Sequence, residues 1–264
     1  MQIHIIHILD GNPSNLNRFL IHLMGRDVLV GVSNHRVVLP EVMFDSVCSD
    51  RSERVELNSN LFMSFARGAP GAPSLLSFDD ARTLFHEFGH ALHGLLSDVT
   101  YPSIACTAVS TDFVELPSQL YEHWLATPEI LKKYARHYQT DEPIPDALVK
   151  RLQAAQTFNQ GFATVEYVSS AIADLELHSL EDPKQLDIGR FEEELLERRS
   201  MPREIIMRHR LPHFAHIFSG GGYASGYYSY MWSEVMDADA FDAFAETGDV
   251  FDRSTAARLK EFIY

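Results

Sequence analysis

Four ionisable side chains, His86, Glu87, His90 and His93, stand in the stretch TLFHEFGHALHG at residues 83–94, which is otherwise apolar enough to be a buried helix. Two histidines four apart project from the same side of a helix, so their imidazoles can share one cation, and Glu87 between them sets a carboxylate beside it. This is the pattern HExxH. With 13 His in 264 residues, chance alone would produce it in roughly one such sequence in twenty. Its neighbours raise its weight: Leu84, Phe85, Phe88, Ala91 and Leu92 would bury the helix, and uncompensated ionisable groups there would cost several kcal/mol. A shared metal removes that cost.

A catalytic zinc takes three protein ligands and keeps a fourth position for water, so a third ligand must be found. His93 is one choice, but a single straight helix does not easily wrap three ligands round a tetrahedral ion. A Gly turn followed by a later His, as in metzincins, is missing from HEFGHALHGLLSD. Glu115, 25 residues after His90 in TDFVELPSQLYEHW, is the better choice, with Glu122 second. The competing reading of Glu115 is a capping-box acid.

These residues need helices to hold them. Ser77 is suited to cap the helix that carries HExxH, with Asp79 and Asp80 at its positive end; Asp80 could instead orient a ligating histidine. A second helix is expected from Asp112 as its cap, with Pro117 near the first turn. Apolar spacings of three and four predict further helices at about 128–138, 145–180, 190–200, 227–246 and 254–263. Residues 1–57 are less legible, with IHIIHIL and DVLVGV reading as short strands, and a Pro/Gly loop leads to Ser77. The fold class is mainly α, with a minor β element near the N-terminus.

A net charge of -15 argues against nucleic acid or an anionic membrane as the main partner. Two cysteines, Cys48 and Cys106, form no CxxC pair and suggest no disulfide framework. No apolar run approaches the roughly 20 residues of a membrane span, and the N-terminus lacks a signal-peptide pattern. A soluble, cytoplasmic protein is expected.

Four blocks in order, FDDARTLFHEFGHALHG, TDFVELPSQLYEHW, FNQGFATVEY and HIFSGGGYASGYYSYMWSEVMDADAF, give the chain a resemblance to the thimet-type oligopeptidases, the M3 metallopeptidases, and within them to the bacterial peptidyl-dipeptidase and oligopeptidase A branch. The likeness runs over residues 58–264, which it marks as a zincin-type catalytic domain, and leaves 1–57 unmatched. It implies one zinc per chain held by His86, His90 and Glu115, with Glu87 as general base. Zinc would lower the pKa of its water to about 7 and Glu87 would take the proton for attack on the scissile carbonyl of a short peptide.

The same likeness assigns Tyr223 and Tyr230 to transition-state or substrate contacts and favours His216 as a substrate contact. By spacing alone, Tyr223, Tyr227 and Tyr230 read as a packing stripe, and Tyr227 and Tyr228 are left as core. The run Gly220–Gly222 permits close backbone approach, so Gly221 and Gly222 join the substrate-binding set and the loop is expected to close over a peptide. Members of the family are longer, with a helical N-terminal half walling a deep channel, so the chain reads as a C-terminal catalytic fragment. The expected function is a peptidyl-dipeptidase or oligoendopeptidase; the alternatives are a non-catalytic remnant that keeps fold and zinc, and a helical interaction module with an accidental HExxH.

Overall fold

The structure, a computed structural model, describes the backbone of four N-terminal strands and then residues 76–264 apart from Gln185. The Pro/Gly loop, Cys48 and the 57/58 boundary lie outside the described residues. The strands Ile5–Ile8, Asn17–Leu23, Arg26–Ser33 and Arg36–Val38 (β1 to β4) form an antiparallel meander in sequence order. The helices that follow are α1 (Phe78–Leu96), α2 (Thr111–Val114), α3 (Leu116–Leu125), α4 (Pro128–Tyr134) and α5 (Asp146–Ala155). Then come α6 (Gln160–His178), α7 (Ile188–Arg198), α8 (Ser229–Ala245) and α9 (Arg253–Phe262). The fold is mainly α. None of the described helices is long and apolar enough to cross a membrane.

The chain divides into two compact units: Met1–Val109 with Leu116–Ile144 and Met236–Tyr264, and Ser110–Glu115 with Pro145–Val235. In the first, α1 starts on a reciprocal cap. The Ser77 hydroxyl accepts from the Asp80 amide at 3.0 Å, and Asp80 Oδ2 accepts from the Ser77 amide at 2.9 Å. Asp80 is therefore spent on the helix start and does not orient a ligating histidine, because both its backbone and its carboxylate face Ser77.

Helices α1 and α3 pack unusually close. A Cβ on Gly89 would lie 2.5 Å from both the Pro117 carbonyl oxygen and Ser118 Cα, so only glycine lets the two backbones meet here. Phe88, Ala91 and Leu92 of α1 join Leu120, Tyr121, Trp124 and Leu125 of α3, Ile130 and Phe244 in one buried cluster. The Trp124 indole donates to the Val250 carbonyl at 2.8 Å, so its one polar atom is satisfied inside that cluster. His93 is buried on the same helix with its ring against Tyr264. Burial, then the neighbouring His90, pushes its pKa down.

The helix expected from Asp112 is in fact two. Ser110 precedes α2 without a side-chain cap, Glu115 is the C-terminal cap residue, and α3 restarts at Leu116. Pro117 sits at the second position of α3, where its missing N–H would have had no partner in the helix. Asp112 is not a cap: its carboxylate accepts from the Tyr228 hydroxyl at 3.2 Å.

In the second unit, the single helix expected at 145–180 breaks into α5 and α6. Asn159 has φ of +55°, and TFN offers poor helix formers at the break; Asn tolerates this left-handed turn better than most side chains. Ala173 and Leu177 of α6 pack with Leu195, Met207, Leu211, Phe214 and Ile217. Glu192 of α7, buried, accepts from Arg210 Nε at 2.6 Å and the Leu211 amide at 3.1 Å. That pair of bonds holds the segment leading to His216.

Candidate metal centre

His86 and His90 lie one turn apart on α1, their rings edge to face with centroids 5.0 Å apart. Glu115 is joined directly to Leu116, the buried first residue of α3, so the close α1–α3 packing sets its distance from the two imidazoles. One ligand atom from each of His86, His90 and Glu115 lies within 4.8 Å of the others. Among the described residues this is the one group of three or more such donors that comes together.

A tetrahedral ion with ligands at about 2.0–2.2 Å wants donors about 3.5 Å apart, so these three need only a small inward adjustment. Two neutral imidazoles and one carboxylate also match the donor set of hydrolytic zinc, with a position left open. The residues present fit the ion.

Glu122, the sequence's second choice for the third ligand, has another place. Its Oε1 lies 2.6 Å from His86 Nδ1, while Arg82 Nε is 3.8 Å from its other oxygen. A carboxylate this close fixes a proton on Nδ1 and leaves Nε2 with its lone pair for a cation. The sequence signal for this was the seven-residue step from Glu115 to Glu122, two helical turns, but which carboxylate meets which imidazole depends on how α3 is laid on α1. Glu87 is half-buried on α1 between the two histidines.

The second unit gathers other selected residues. Tyr230 Oη and His216 Nε2 are 3.4 Å apart, and the His216 ring stands edge-on to Tyr223 with centroids 5.0 Å apart. Burial, reinforced by the negative charge of Glu115, pushes the Tyr230 phenol well above its usual pKa, so it stays a neutral donor. His209, His213, Phe214, His216, Tyr227 and Tyr230 line a cavity of about 420 Å³. Tyr227 packs on the core as expected, whereas Tyr228 is exposed and bonded to Asp112, so it is not core. Gly221 and Gly222 are exposed, and a Cβ at either would meet nothing within 4 Å; only Gly220, at φ +140°, needs to be glycine for its backbone.

Helix α1, which carries HExxH, lies against α3, and Glu115, immediately before α3, is the third donor of the group. The family model described as Peptidase family M3 matches residues 41–263, and the chain belongs to that family. It is 41% identical over 202 residues to dipeptidyl carboxypeptidase of Escherichia coli K12, covering 76% of this chain and 29% of the relative. Oligopeptidase A of the same organism is 38% identical over 199 residues, 74% of this chain and 29% of the relative. Probable cytosolic oligopeptidase A of Arabidopsis thaliana is 42% identical over 183 residues, 67% and 25%. The chain thus spans less than a third of the length of these curated relatives.

Proposed function

We propose that residues 58–264 form the catalytic domain of a zinc metallopeptidase that hydrolyses short peptides in the cytoplasm. The observation that carries this reading is the meeting of His86, His90 and Glu115 within 4.8 Å, with Glu122 on the far nitrogen of His86. Zinc bound there would act as a Lewis acid on the scissile carbonyl and lower the pKa of a coordinated water to about 7. His86 and His90 offer neutral imidazoles, and Glu115 supplies one negative charge that offsets half that of the cation. Glu87 accepts a proton from the attacking water and returns it to the leaving amine.

Tyr230, held neutral, and Tyr223 donate hydrogen bonds to the oxygen that gains charge as the carbonyl becomes tetrahedral. His216, beside both rings, contacts the substrate and keeps the Tyr230 hydroxyl oriented. The names of the relatives point to release of C-terminal dipeptides or to cleavage within oligopeptides, and both use the same groups.

The test is metal content by mass spectrometry on the purified chain, with hydrolysis of a quenched fluorescent peptide by wild type and Glu87→Gln. About one zinc per chain is expected, with turnover falling by about 10²–10⁴-fold in the variant while zinc is retained. Zinc without turnover in the wild type would favour the alternative, a chain that keeps fold and metal but does not catalyse. Absence of zinc would overturn the site.

A further inference from the structure

Helix α6 carries two polar side chains, one buried and one half-buried, that the peptidase reading does not use. Asp174 is fully buried, and its carboxylate takes three donors. Oδ1 accepts from the Ser225 amide at 3.0 Å and lies 2.7 Å from His178 Nδ1; Oδ2 accepts from the Tyr227 amide at 2.9 Å. Tyr167, two turns earlier, lies on the same face of the helix. Its hydroxyl donates to the Tyr227 carbonyl and accepts from the Met231 amide at 3.1 Å.

Four backbone groups of one short segment, at Ser225, Tyr227 (twice) and Met231, are therefore held by two side chains of a single helix. Ser225 has φ of +59°, a backbone state that side-chain-bearing residues rarely adopt. Gly226 is tight against Thr111 and the Tyr223 carbonyl, each 3.2 Å from where its Cβ would be. Met231 is at the start of α8, whose first amides have no partner within the helix. Turns of its own join Gly226 to Tyr223 and Ser229 to Gly226, but the Ser225, Tyr227 and Met231 amides are satisfied by side chains from outside the segment.

We propose that Asp174 and Tyr167 are positioning residues: together they grip the 225–231 backbone and so set where the Tyr223 and Tyr230 side chains point. The grip has the sign a carboxylate requires. Two amides and an imidazole N–H all donate inward, so an ionised Asp174 satisfies each, whereas an amide in its place would turn its NH₂ group on one of the donors. Burial pushes the Tyr167 phenol up to about 12, so its hydroxyl keeps the proton it gives to Tyr227. The block FNQGFATVEY, which ends at Tyr167, thereby acquires a task. The consequence for turnover rests on the proposed roles of Tyr223 and Tyr230; the grip itself does not.

The test uses the full chain with zinc added and two variants, Asp174→Asn and Tyr167→Phe. Amide hydrogen exchange by mass spectrometry reads the grip directly. Both variants should exchange at least about tenfold faster in peptides spanning 223–231, with α1 and α3 peptides and zinc content unchanged. Peptide hydrolysis should fall by about 10²-fold, carried by kcat with KM little altered. Unchanged exchange at 223–231 in Asp174→Asn, or an even rise through α5–α9, would overturn the proposal, as would KM rising with kcat intact. Localised exchange in a chain that hydrolyses no peptide would uphold the grip and count against the peptidase reading alone.

Discussion

At the scale of single residues, the assignments differ in what they owe to their surroundings. His86 is a strong ligand candidate because Glu122 occupies its Nδ1 at 2.6 Å, which selects the tautomer that presents Nε2. Glu122→Gln keeps the shape but offers a neutral carbonyl or an NH₂ group where a carboxylate stood, so it loosens both the tautomer and the basicity of His86. A titration with zinc against a competing chelator should show affinity falling by about 10- to 100-fold, with part of the lost turnover recovered at saturating zinc. Unchanged affinity would mean that the contact is only a surface ion pair. Arg82, which lies 3.8 Å from Glu122 and is more than half exposed, contributes little to this.

At the scale of elements, the motif and its candidate third ligand depend on one contact between helices. Gly89, inside HEFGH, has the α3 backbone 2.5 Å from where a Cβ would sit, and both atoms there are main chain or its Cα, which cannot rotate away. Gly89→Ala would gain helix propensity of about 1 kcal/mol but must push α3 outward, and overpacking of this kind costs about 1–3 kcal/mol or more. Displacement of α3 also moves Glu115, so the variant should lose thermal stability and zinc affinity together. Retention of wild-type zinc affinity in a folded Gly89→Ala chain would show that the α1–α3 spacing does not set the ligand triangle. Elsewhere the elements follow local rules: Thr127, Asp187 and Asp252 cap α4, α7 and α9 through their side chains, each at the position where the sequence turns from loop to helix.

For the molecule as a whole, metal binding and folding should be linked, because the donors are assembled only when α1 and α3 are packed. Zinc at 100 times its dissociation constant would add about 2.7 kcal/mol to unfolding. Removal with a chelator should therefore lower the melting temperature of the wild-type chain by several degrees, reversibly, and should leave that of His90→Ala unmoved; an equal chelator effect on both would place the stabilising metal elsewhere. The HExxH helix, its Ser77 start and most of the later helices were legible in the residues alone, because helical spacing and capping are local and the apolar pattern around His86 and His90 repeats every turn. A mainly α chain with strands near the N-terminus was legible in the same way. Distance along the chain concealed other contacts until the helices had packed: that Glu122 serves His86 and that Tyr228 meets Asp112 rather than the core. Each of these is a choice among partners of equal local fitness, made by which helix faces lie together. The grip of Asp174 and Tyr167 on residues 225–231 is of the same kind, since an aspartate and a tyrosine two turns apart on a helix announce no partner until the chain has folded back onto them.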